Sequence, residues 1–173
     1  LYGAFVDIGC GVPSLLPLKT LSISRIPHPN CRFRPGQEIF CVVRQVMPEL
    51  GRVQLSHKEL LGTWSENACH FEAGETVTGI VRSVMDYGIF VELTPNLTGL
   101  AEPLEGYQAG DSVSVYLKSI LPDRQKIKLA IIGTVAPQPP APLTYCATAG
   151  RVVDWNYHGV THILPPKEII PSP

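Results

Sequence analysis

Alternating apolar and polar residues mark several short segments of the chain, and this two-residue period predicts β-strands. In one such segment, Ile89, Val91 and Leu93 fall on one face of a strand, whereas Phe90 and Glu92 fall on the other. Because a carboxylate is rarely buried without a partner, we expect Phe90 and Glu92 to face solvent. Turns rich in Gly and Pro separate the segments, so the pattern favours an all-β fold built from short strands.

A seven-residue pattern recurs along the chain and indicates tandem units. It reads YGAFVDI at residues 2–8, YGIFVEL at residues 87–93 and, in a degenerate form, HGVTHIL at residues 158–164. The first two copies continue in parallel, since GRVQLS at residues 51–56 has a counterpart in QKIKLA at residues 125–130. Each full unit therefore contains about five predicted strands, which is the strand count of a small oligonucleotide/oligosaccharide-binding (OB) barrel.

The segments between and after the repeats predict how the chain is divided. Residues 60–68 are the best helical stretch, and we expect a short connecting helix that packs Trp64 between two barrels. A Pro-rich run at residues 135–142 cannot supply the hydrogen bonds of a β-ladder, so it predicts an extended linker. The chain is thus predicted to contain a first OB barrel without its first strand, a second OB barrel, and a tail made of the linker and a degenerate β-hairpin. These three parts are residues 1–62, 63–133 and 134–173.

The tail hairpin raises a question, because a lone hairpin is only marginally stable in water. We expect the hairpin at residues 150–164 to pack on a barrel, and one option is that it supplies the strand that the first unit lacks before Tyr2. The competing interpretation is that the chain is a fragment of a longer protein. The sequence alone leaves both interpretations open.

An aromatic residue occupies the same outward position in both complete copies of the repeat, Phe5 in the first and Phe90 in the second. Exposed aromatic rings at equivalent positions suit the stacking of nucleic-acid bases, which contributes about 1–3 kcal/mol per base. The glycine before each ring predicts a close backbone approach, which lets Tyr2 and Tyr87 face outward as well. The alternative is that a loop or the neighbouring barrel covers each phenylalanine.

The order of these motifs resembles the S1-type RNA-binding repeat. In the first unit, YGAFVDI is followed by SRIPHP at residues 24–29, PGQE at residues 35–38 and GRVQLS. The resemblance covers residues 1–58 and 71–132, and it implies tandem OB-fold barrels. It further implies an RNA-binding face made of the two aromatic residues around the glycine and a basic residue from the last strand. Those residues are Tyr2, Phe5 and Arg52 in the first unit and Tyr87, Phe90 and Lys126 in the second.

Two positions depart from the pattern of the family. The histidine that the family often carries on its third strand is replaced by Pro17 in the first unit and by Glu102 in the second. The acidic residue that often precedes the Gly-Arg step is replaced by Met47 and Leu121. We therefore expect an RNA affinity below that of a typical repeat, or binding confined to one of the two repeats.

The charge of the chain becomes informative when it is divided at the repeats. The whole chain has a formal net charge of -1, 45% hydrophobic residues and 17% charged residues, a composition that excludes a disordered chain. Residues 1–62 carry seven basic and four acidic residues, and residues 63–133 carry five basic and nine acidic residues. Since RNA affinity depends on neutralised phosphates, we expect the first unit to bind RNA better. Arg25, Arg32 and Arg34 are its candidate contacts to the RNA backbone, and an ordinary solvated loop is the alternative.

No pattern of a catalytic or metal site is present. The five cysteines form no CxxC pair, and neither His57 with Cys41 nor His70 with Cys69 has a third orienting partner. We expect a non-catalytic protein without a cofactor that captures single-stranded RNA in translation or RNA metabolism in the bacterial cytoplasm. The ribosome or RNA-processing machinery are its expected further partners, and no membrane is involved. The alternative is an OB-barrel protein-interaction or regulatory module with little RNA affinity.

Overall fold

The first unit of the chain is an open β-sheet. In the computed structural model, which describes residues 2–139, 142–159 and 161–164, four strands of this unit pair in the order β1-β2-β4-β3. They are β1 (Gly3–Val6), β2 (Ser14–Pro17), β3 (Val42–Met47) and β4 (Arg52–Ser56). The pair β2/β4 is parallel, and the pairs β1/β2 and β3/β4 are antiparallel.

The second unit is a closed barrel of five strands. They are β5 (Thr76–Met85), β6 (Gly88–Thr94), β7 (Leu97–Ala101), β8 (Ser112–Leu121) and β9 (Lys126–Thr134). The strands β6, β7, β9 and β8 repeat the order and the strand directions of the first unit, and β5 closes the barrel by pairing with both β6 and β8. The predicted β fold with an OB-like barrel is therefore confirmed for the second unit. Among the described residues, the first unit has the same sheet without a counterpart of β5.

Each unit has its own apolar core, which the alternation of residues along the strands builds. The smaller cluster lies beneath the open sheet, and its buried members are Leu16, Leu21, Ile26, Phe33, Val53 and Leu55. The larger cluster fills the barrel and includes Val81, Ile89, Val91, Leu97, Val113, Leu117 and Leu129. The burial of Ile89 and Val91 confirms the inward face that the sequence pattern predicted for this strand.

A short helix connects the two units, but it is shorter than the predicted stretch of residues 60–68, because Lys58–Leu61 forms a separate 3-10 helix. The helix α1 (Trp64–Ala68) begins with a capping box, in which the Thr63 hydroxyl accepts from the Glu66 amide and the Glu66 carboxylate accepts from the Thr63 amide. Trp64 is buried and belongs to the core cluster of the barrel. No helix among the described residues is long and apolar enough to cross a membrane.

The expectation that Glu92 faces solvent is wrong, because two arginines cover its carboxylate. Arg82 lies on the same barrel and places Nε 2.8 Å from Glu92 Oε2. Arg32 comes from the first unit and binds in a bidentate manner, with Nη1 2.7 Å from Oε1 and Nη2 2.9 Å from Oε2. The side chains of Arg32 and Glu92 are only 7% and 5% exposed. A buried carboxylate thus joins the two units.

Asn96 makes a second polar connection between the units. This residue, fully buried at the turn between β6 and β7, accepts from the Ile23 amide with Oδ1 at 3.1 Å. Its Nδ2 donates to the carbonyl oxygens of Lys58 at 2.8 Å and Gly62 at 2.7 Å. One side chain therefore satisfies three backbone groups that belong to the first unit and the connector.

The described part of the tail packs against both units and does not complete the open sheet. The strands β10 (Arg151–Trp155) and β11 (Thr161–Leu164) pair with each other and form a separate two-stranded sheet, so the option that they supply the missing strand is wrong. The Trp64 amide donates to the Tyr157 carbonyl at 2.9 Å, and the Cys146 amide donates to the Leu60 carbonyl at 2.9 Å. Of the predicted linker, residues 135–139 belong to no helix or strand, the Val135 amide donates to the Ser112 carbonyl at 2.8 Å, and residues 140 and 141 lie outside the described residues.

Candidate nucleic-acid interface

A row of side chains crosses the outer face of the open sheet from β1 to β3. The strand registers place Phe5 beside Leu15, Leu15 beside Gln54, and Gln54 beside Gln45. The sequence neighbours of Gln54 on β4 are buried inward, so Gln54 projects from the outer face. The row is apolar on β1 and β2 and becomes polar on β4 and β3.

The apolar half of this row lies in a groove with a volume of about 670 Å³, hereafter the Phe5 groove. Its lining residues are Phe5, Pro13, Leu15, Met47, Arg52, Val53 and Gln54. Phe5 is 79% exposed, so its ring is open to a ligand. Arg52 is exposed on the same groove and supplies a positive charge next to the aromatic surface. Two residues that the sequence singled out, Phe5 and Arg52, are therefore brought together.

Other residues of the Phe5 groove were not found from the sequence. Leu15 and Pro13 belong to β2 and the turn before it, and Met47 ends β3 opposite Arg52. The alternation along β2 is the signal that could have found Leu15, because Leu16 is buried and its neighbour must point outward. The pairing of β2 with β4 is not encoded locally, so the contact between Leu15 and Gln54 could not be predicted.

Tyr2 immediately precedes β1 and Gly3 begins this strand, and neither residue lines the Phe5 groove. Tyr2 is 94% exposed. A Cβ at Gly3 would overlap the Leu16 carbonyl oxygen, and a Cβ at Gly88 would lie 2.5 Å from the Ala101 carbonyl oxygen. These overlaps confirm the predicted close backbone approach at both glycines.

The three arginines of the predicted backbone contact separate in the structure. Arg25 and Arg34 are exposed, whereas Arg32 is buried in its ion pair with Glu92. The Arg32 guanidinium also donates to the Ser22 hydroxyl at 3.1 Å. In contrast to the expectation of an exposed contact, Arg32 lies inside the junction between the units, because a carboxylate 60 residues away pairs with it.

The second unit repeats the geometry of the row with different chemistry. The registers place Phe90 beside Leu100, Leu100 beside Lys128, and Lys128 beside Ser119. Phe90 is half-buried, and the Tyr87 ring stands edge-on to it with the centroids 6.1 Å apart.

Lys126, the remaining predicted site residue of the second unit, lies at the position equivalent to Arg52. Lys126 is exposed and pairs with Leu121, just as Arg52 pairs with Met47 in the first unit. Phe5 and Arg52 in the first unit and Phe90 and Lys126 in the second thus lie at equivalent positions of two separate sheets.

His57 is buried and Cys41 is half-buried, and the surroundings of both side chains favour their neutral forms. Burial raises the pKa of the Cys41 thiol to about 11, and the Glu59 carboxylate adds to this effect. Burial also lowers the pKa of His57, whose Nδ1 lies 2.9 Å from the Leu21 carbonyl oxygen and whose Nε2 lies 3.1 Å from the Tyr145 hydroxyl. At neutral pH the pair is thus a thiol and a neutral imidazole. Within the described part of the chain, no group of three His, Cys, Asp or Glu residues is arranged to hold a metal ion.

Comparisons with known proteins identify similar sequences. Residues 2–58 match the S1 RNA binding domain. The small ribosomal subunit protein bS1 of Leuconostoc lactis is 32% identical over 142 residues, which are 75% of this chain and 33% of that protein. The protein of the same name from Chlamydia muridarum is 30% identical over 143 residues, which are 75% of this chain and 25% of that protein. The chain therefore spans a third or less of the length of these relatives.

Two solved structures are also similar to parts of the chain. An uncharacterized protein from Methanocaldococcus jannaschii aligns with a TM-score of 0.33 and 26% identity over 34% of this chain and 89% of that one. A multidomain protein with nucleic acid binding domains from Streptococcus pneumoniae aligns with a TM-score of 0.34 and 16% identity over 75% of this chain and 46% of that one. The match at residues 2–58 shows that this part of the chain is an S1 RNA-binding domain, and the sequence relatives extend the similarity over 75% of the chain.

Proposed function

We propose that this chain is a non-catalytic RNA-binding protein that captures single-stranded RNA in the Phe5 groove. The observation that carries the proposal is the joint placement of an exposed phenylalanine and an exposed arginine in one groove of the S1 domain. Single-stranded RNA offers base faces for stacking and phosphates for charge-assisted hydrogen bonds, and this groove supplies a partner for each.

In the proposed mechanism a base stacks on the Phe5 ring while Arg52 binds an adjacent phosphate. Leu15 and Met47 extend the apolar surface around the ring and keep water from the stacked base. The Gln54 side chain offers one carbonyl oxygen and one amide at the end of the groove, so it can accept and donate hydrogen bonds to a base edge. Stacking tolerates every base, so we expect only a modest sequence preference.

We expect the second unit to contribute less to RNA binding than the first. Residues 63–133 contain nine acidic and five basic residues, which disfavours the approach of phosphates. Phe90 is half-buried and partly covered by Tyr87, so less of its ring is open to a base. Lys126, Arg25 and Arg34 are exposed and serve as flanking contacts to the RNA backbone, whereas Arg32 is reserved for the ion pair with Glu92.

The names of the relatives support a proposal for the cellular setting. Several are named small ribosomal subunit protein bS1 and come from bacteria, so we place this chain in bacterial translation or RNA metabolism, in the cytoplasm, with the ribosome or RNA-processing machinery as its partner. The acidic second unit favours one alternative, in which the barrel pair is a protein-interaction or regulatory module with little affinity for RNA.

Titration of single-stranded RNA separates these two functions. We expect Phe5→Ala to raise the Kd for a fluorescent oligouridylate of about 12 nucleotides by about 5- to 150-fold, the equivalent of one lost stacking interaction. Phe5 is 79% exposed, so its substitution leaves the core intact, and the melting temperature checks this. The measurement is fluorescence anisotropy at several salt concentrations.

The matched control is Phe90→Ala, which removes the equivalent ring from the second unit and is expected to change the Kd less. Equal binding by wild type and Phe5→Ala contradicts the stacking mechanism. Absence of RNA binding by the wild type contradicts the proposed function itself and favours the protein-interaction module.

A further inference from the structure

A second groove lies on the same outer face, next to the Phe5 groove. It has a volume of about 520 Å³, and Gln54 lines both grooves, so the two are contiguous. Its lining residues are Lys19, Thr20, Arg44, Gln45, Gln54 and Lys58, and it is called the basic groove below. No residue that the S1 resemblance implies for RNA binding belongs to it.

The cations of the basic groove are only partly neutralised. Arg44 is 52% exposed and donates from Nη1 to the buried Glu59 carboxylate at 3.1 Å, and the other Glu59 oxygen accepts from the Ser56 hydroxyl. Lys58 Nζ lies 5.6 Å from the centre of the Trp155 ring, and Lys19 is exposed. Among the residues that the structure describes, no carboxylate pairs with Lys19 or Lys58. Three positive charges therefore face the groove against one carboxylate.

The second unit lacks this cluster at the equivalent positions. The registers place Lys118 at the bulge of β8 where Arg44 lies at the bulge of β3. Counting along the matched strands places Leu104 and Ile132 at the positions of Lys19 and Lys58, and both are exposed apolar side chains. Lys118 pairs with Glu102 at 2.8 Å. The second unit thus has Lys118 and, at the position of Gln54, Lys128, whereas the first unit has three cations around its groove.

The grooves are placed so that one strand of RNA can occupy both. Phe5 on β1 and Gln45 on β3 are separated by three strand spacings, or about 14 Å. Between them lie Leu15 and then Gln54, which changes the surface from apolar to polar. A nucleic acid that reaches from the ring to the cations therefore has to be an oligonucleotide and not a single nucleotide.

We propose that the basic groove binds the backbone phosphates of the same single-stranded RNA whose base stacks on Phe5. This inference rests on the proposed function and deepens it: the RNA crosses the open sheet from β1 to β3, and Lys19, Arg44 and Lys58 hold the phosphates that follow the stacked base. The Gln45 amide lines this path and donates to phosphate or ribose oxygens, whereas Gln54, which contacts the base edge, lies where the two grooves meet.

The salt dependence of binding tests this path in the full chain. Each phosphate contact to a single strand contributes about 0.7 to the slope of log K against log salt. The double variant Lys19→Gln/Lys58→Gln is expected to lower the slope for an oligouridylate of about 12 nucleotides by about 1.4, which corresponds to two lost contacts. Binding of a uridine dinucleotide, which fills only the Phe5 groove, is expected to stay unchanged. A melting curve checks that the loss of the Lys58 contact to Trp155 leaves the fold intact.

The control is Lys118→Gln/Lys128→Gln, which removes two charges from the equivalent sheet of the second unit and is expected to leave the slope nearly unchanged. If the control lowers the slope as much as the groove variant, overall charge explains the effect and the proposed path is wrong. If the groove variant keeps the wild-type slope while Phe5→Ala still weakens binding, the path is wrong and the proposed function stands. If the wild type binds no RNA, both are wrong.

Discussion

At the scale of single residues, Glu92 is a carboxylate held between two guanidinium groups. Burial alone raises the pKa of the Glu92 carboxyl, but hydrogen bonds and positive charge from Arg32 and Arg82 outweigh burial and lower this pKa overall. The folded chain therefore releases the Glu92 proton at a lower pH than the unfolded chain does. The resulting stabilisation is complete above the ordinary glutamate pKa of about 4.3 and is lost as the pH falls through the lowered value.

Substitution of Glu92 tests this interaction. We expect Glu92→Gln to lower the free energy of unfolding by about 3–5 kcal/mol, because two buried guanidinium groups lose their counter-charge. Urea denaturation at neutral pH measures the loss. Below pH about 4 we expect a smaller difference in the free energy of unfolding between variant and wild type, because Glu92 of the wild type then begins to take up its proton. The control is Glu102→Gln, which removes an exposed partner of Lys118 and is expected to change stability little. Equal losses of the free energy of unfolding in both variants would contradict the larger contribution that we assign to the buried carboxylate of Glu92.

Glu92 also shows what can be predicted from the sequence at this scale. The two-residue period correctly separates Glu92 and Phe90 from the inward Ile89 and Val91. The rule that a carboxylate is not buried without a partner also holds, but its partner is Arg32, which is distant in the sequence and belongs to the other unit. A period within one strand carries no information about which element covers its outer face, so the burial of Glu92 was not predictable.

At the scale of elements, the segment that follows the Pro-rich run contacts both units. It comprises residues 143–157 and is called the strap below. Leu143 packs against the core of the first unit, and Tyr157 packs against that of the barrel. The Tyr157 hydroxyl donates to the Asn96 carbonyl oxygen at 2.6 Å. The Tyr145 ring stands edge-on to the His57 ring, with the centroids 5.5 Å apart. These contacts explain how a hairpin that would be marginal alone is held on the molecule.

The contact between Tyr145 and His57 can be tested by removing one oxygen atom. The Leu21 carbonyl can only accept, so the proton of His57 lies on Nδ1 and the buried Nε2 accepts from the Tyr145 hydroxyl. We expect Tyr145→Phe to lower the free energy of unfolding by about 1–3 kcal/mol, because a buried acceptor is left without a donor. Thermal or urea denaturation measures this change.

The control for the strap is Tyr116→Phe, since the Tyr116 hydroxyl forms no hydrogen bond among the described residues. A similar stability of wild type and Tyr145→Phe would show that the hydrogen bond between Tyr145 and His57 does not stabilise the fold.

In the wild type the pKa of His57 is lowered, chiefly by burial, so we expect the free energy of unfolding to decline as the pH falls below the ordinary histidine value of about 6.5.

The elements were predictable where the signal is local. The connecting helix, the repeated strands and the tail hairpin all have signals within a few residues of themselves, such as the capping box of Thr63 and Glu66. The partner of the hairpin was not predictable, because backbone hydrogen bonds such as the one from Trp64 to Tyr157 leave no mark on side-chain identity. For the same reason the sequence could not show that β10 and β11 stay apart from the open sheet.

At the scale of the whole molecule, the two units have matching backbones and contrasting surfaces. The first unit carries an excess of basic residues and the second an excess of acidic residues. The ion pair of Arg32 with Glu92 and the hydrogen bonds of Asn96 fix one unit against the other. The acidic barrel is therefore held next to the proposed RNA path, where its charge disfavours RNA on its own surface.

This coupling predicts that the two units unfold together. We expect calorimetry of the wild type to show a single transition whose calorimetric and van't Hoff enthalpies agree. Asn96→Ala removes three hydrogen bonds between the units and is expected to broaden this transition or to split it into two. Two separate transitions in the wild type would contradict the coupling. The exposed Asn30, substituted in the same way, is the control.

The burial of Asn96 has a consequence for covalent modification. Asn96, Leu97 and Thr98 form the acceptor triplet for N-linked glycans, a pattern that normally marks an exposed loop of a secreted protein. Here the amide nitrogen that would carry the sugar donates to two carbonyl oxygens, and the side chain is fully buried. A glycan at this position is incompatible with the packing of the two units against each other. In this fold the triplet is therefore part of the interface between the units and not a site for a sugar.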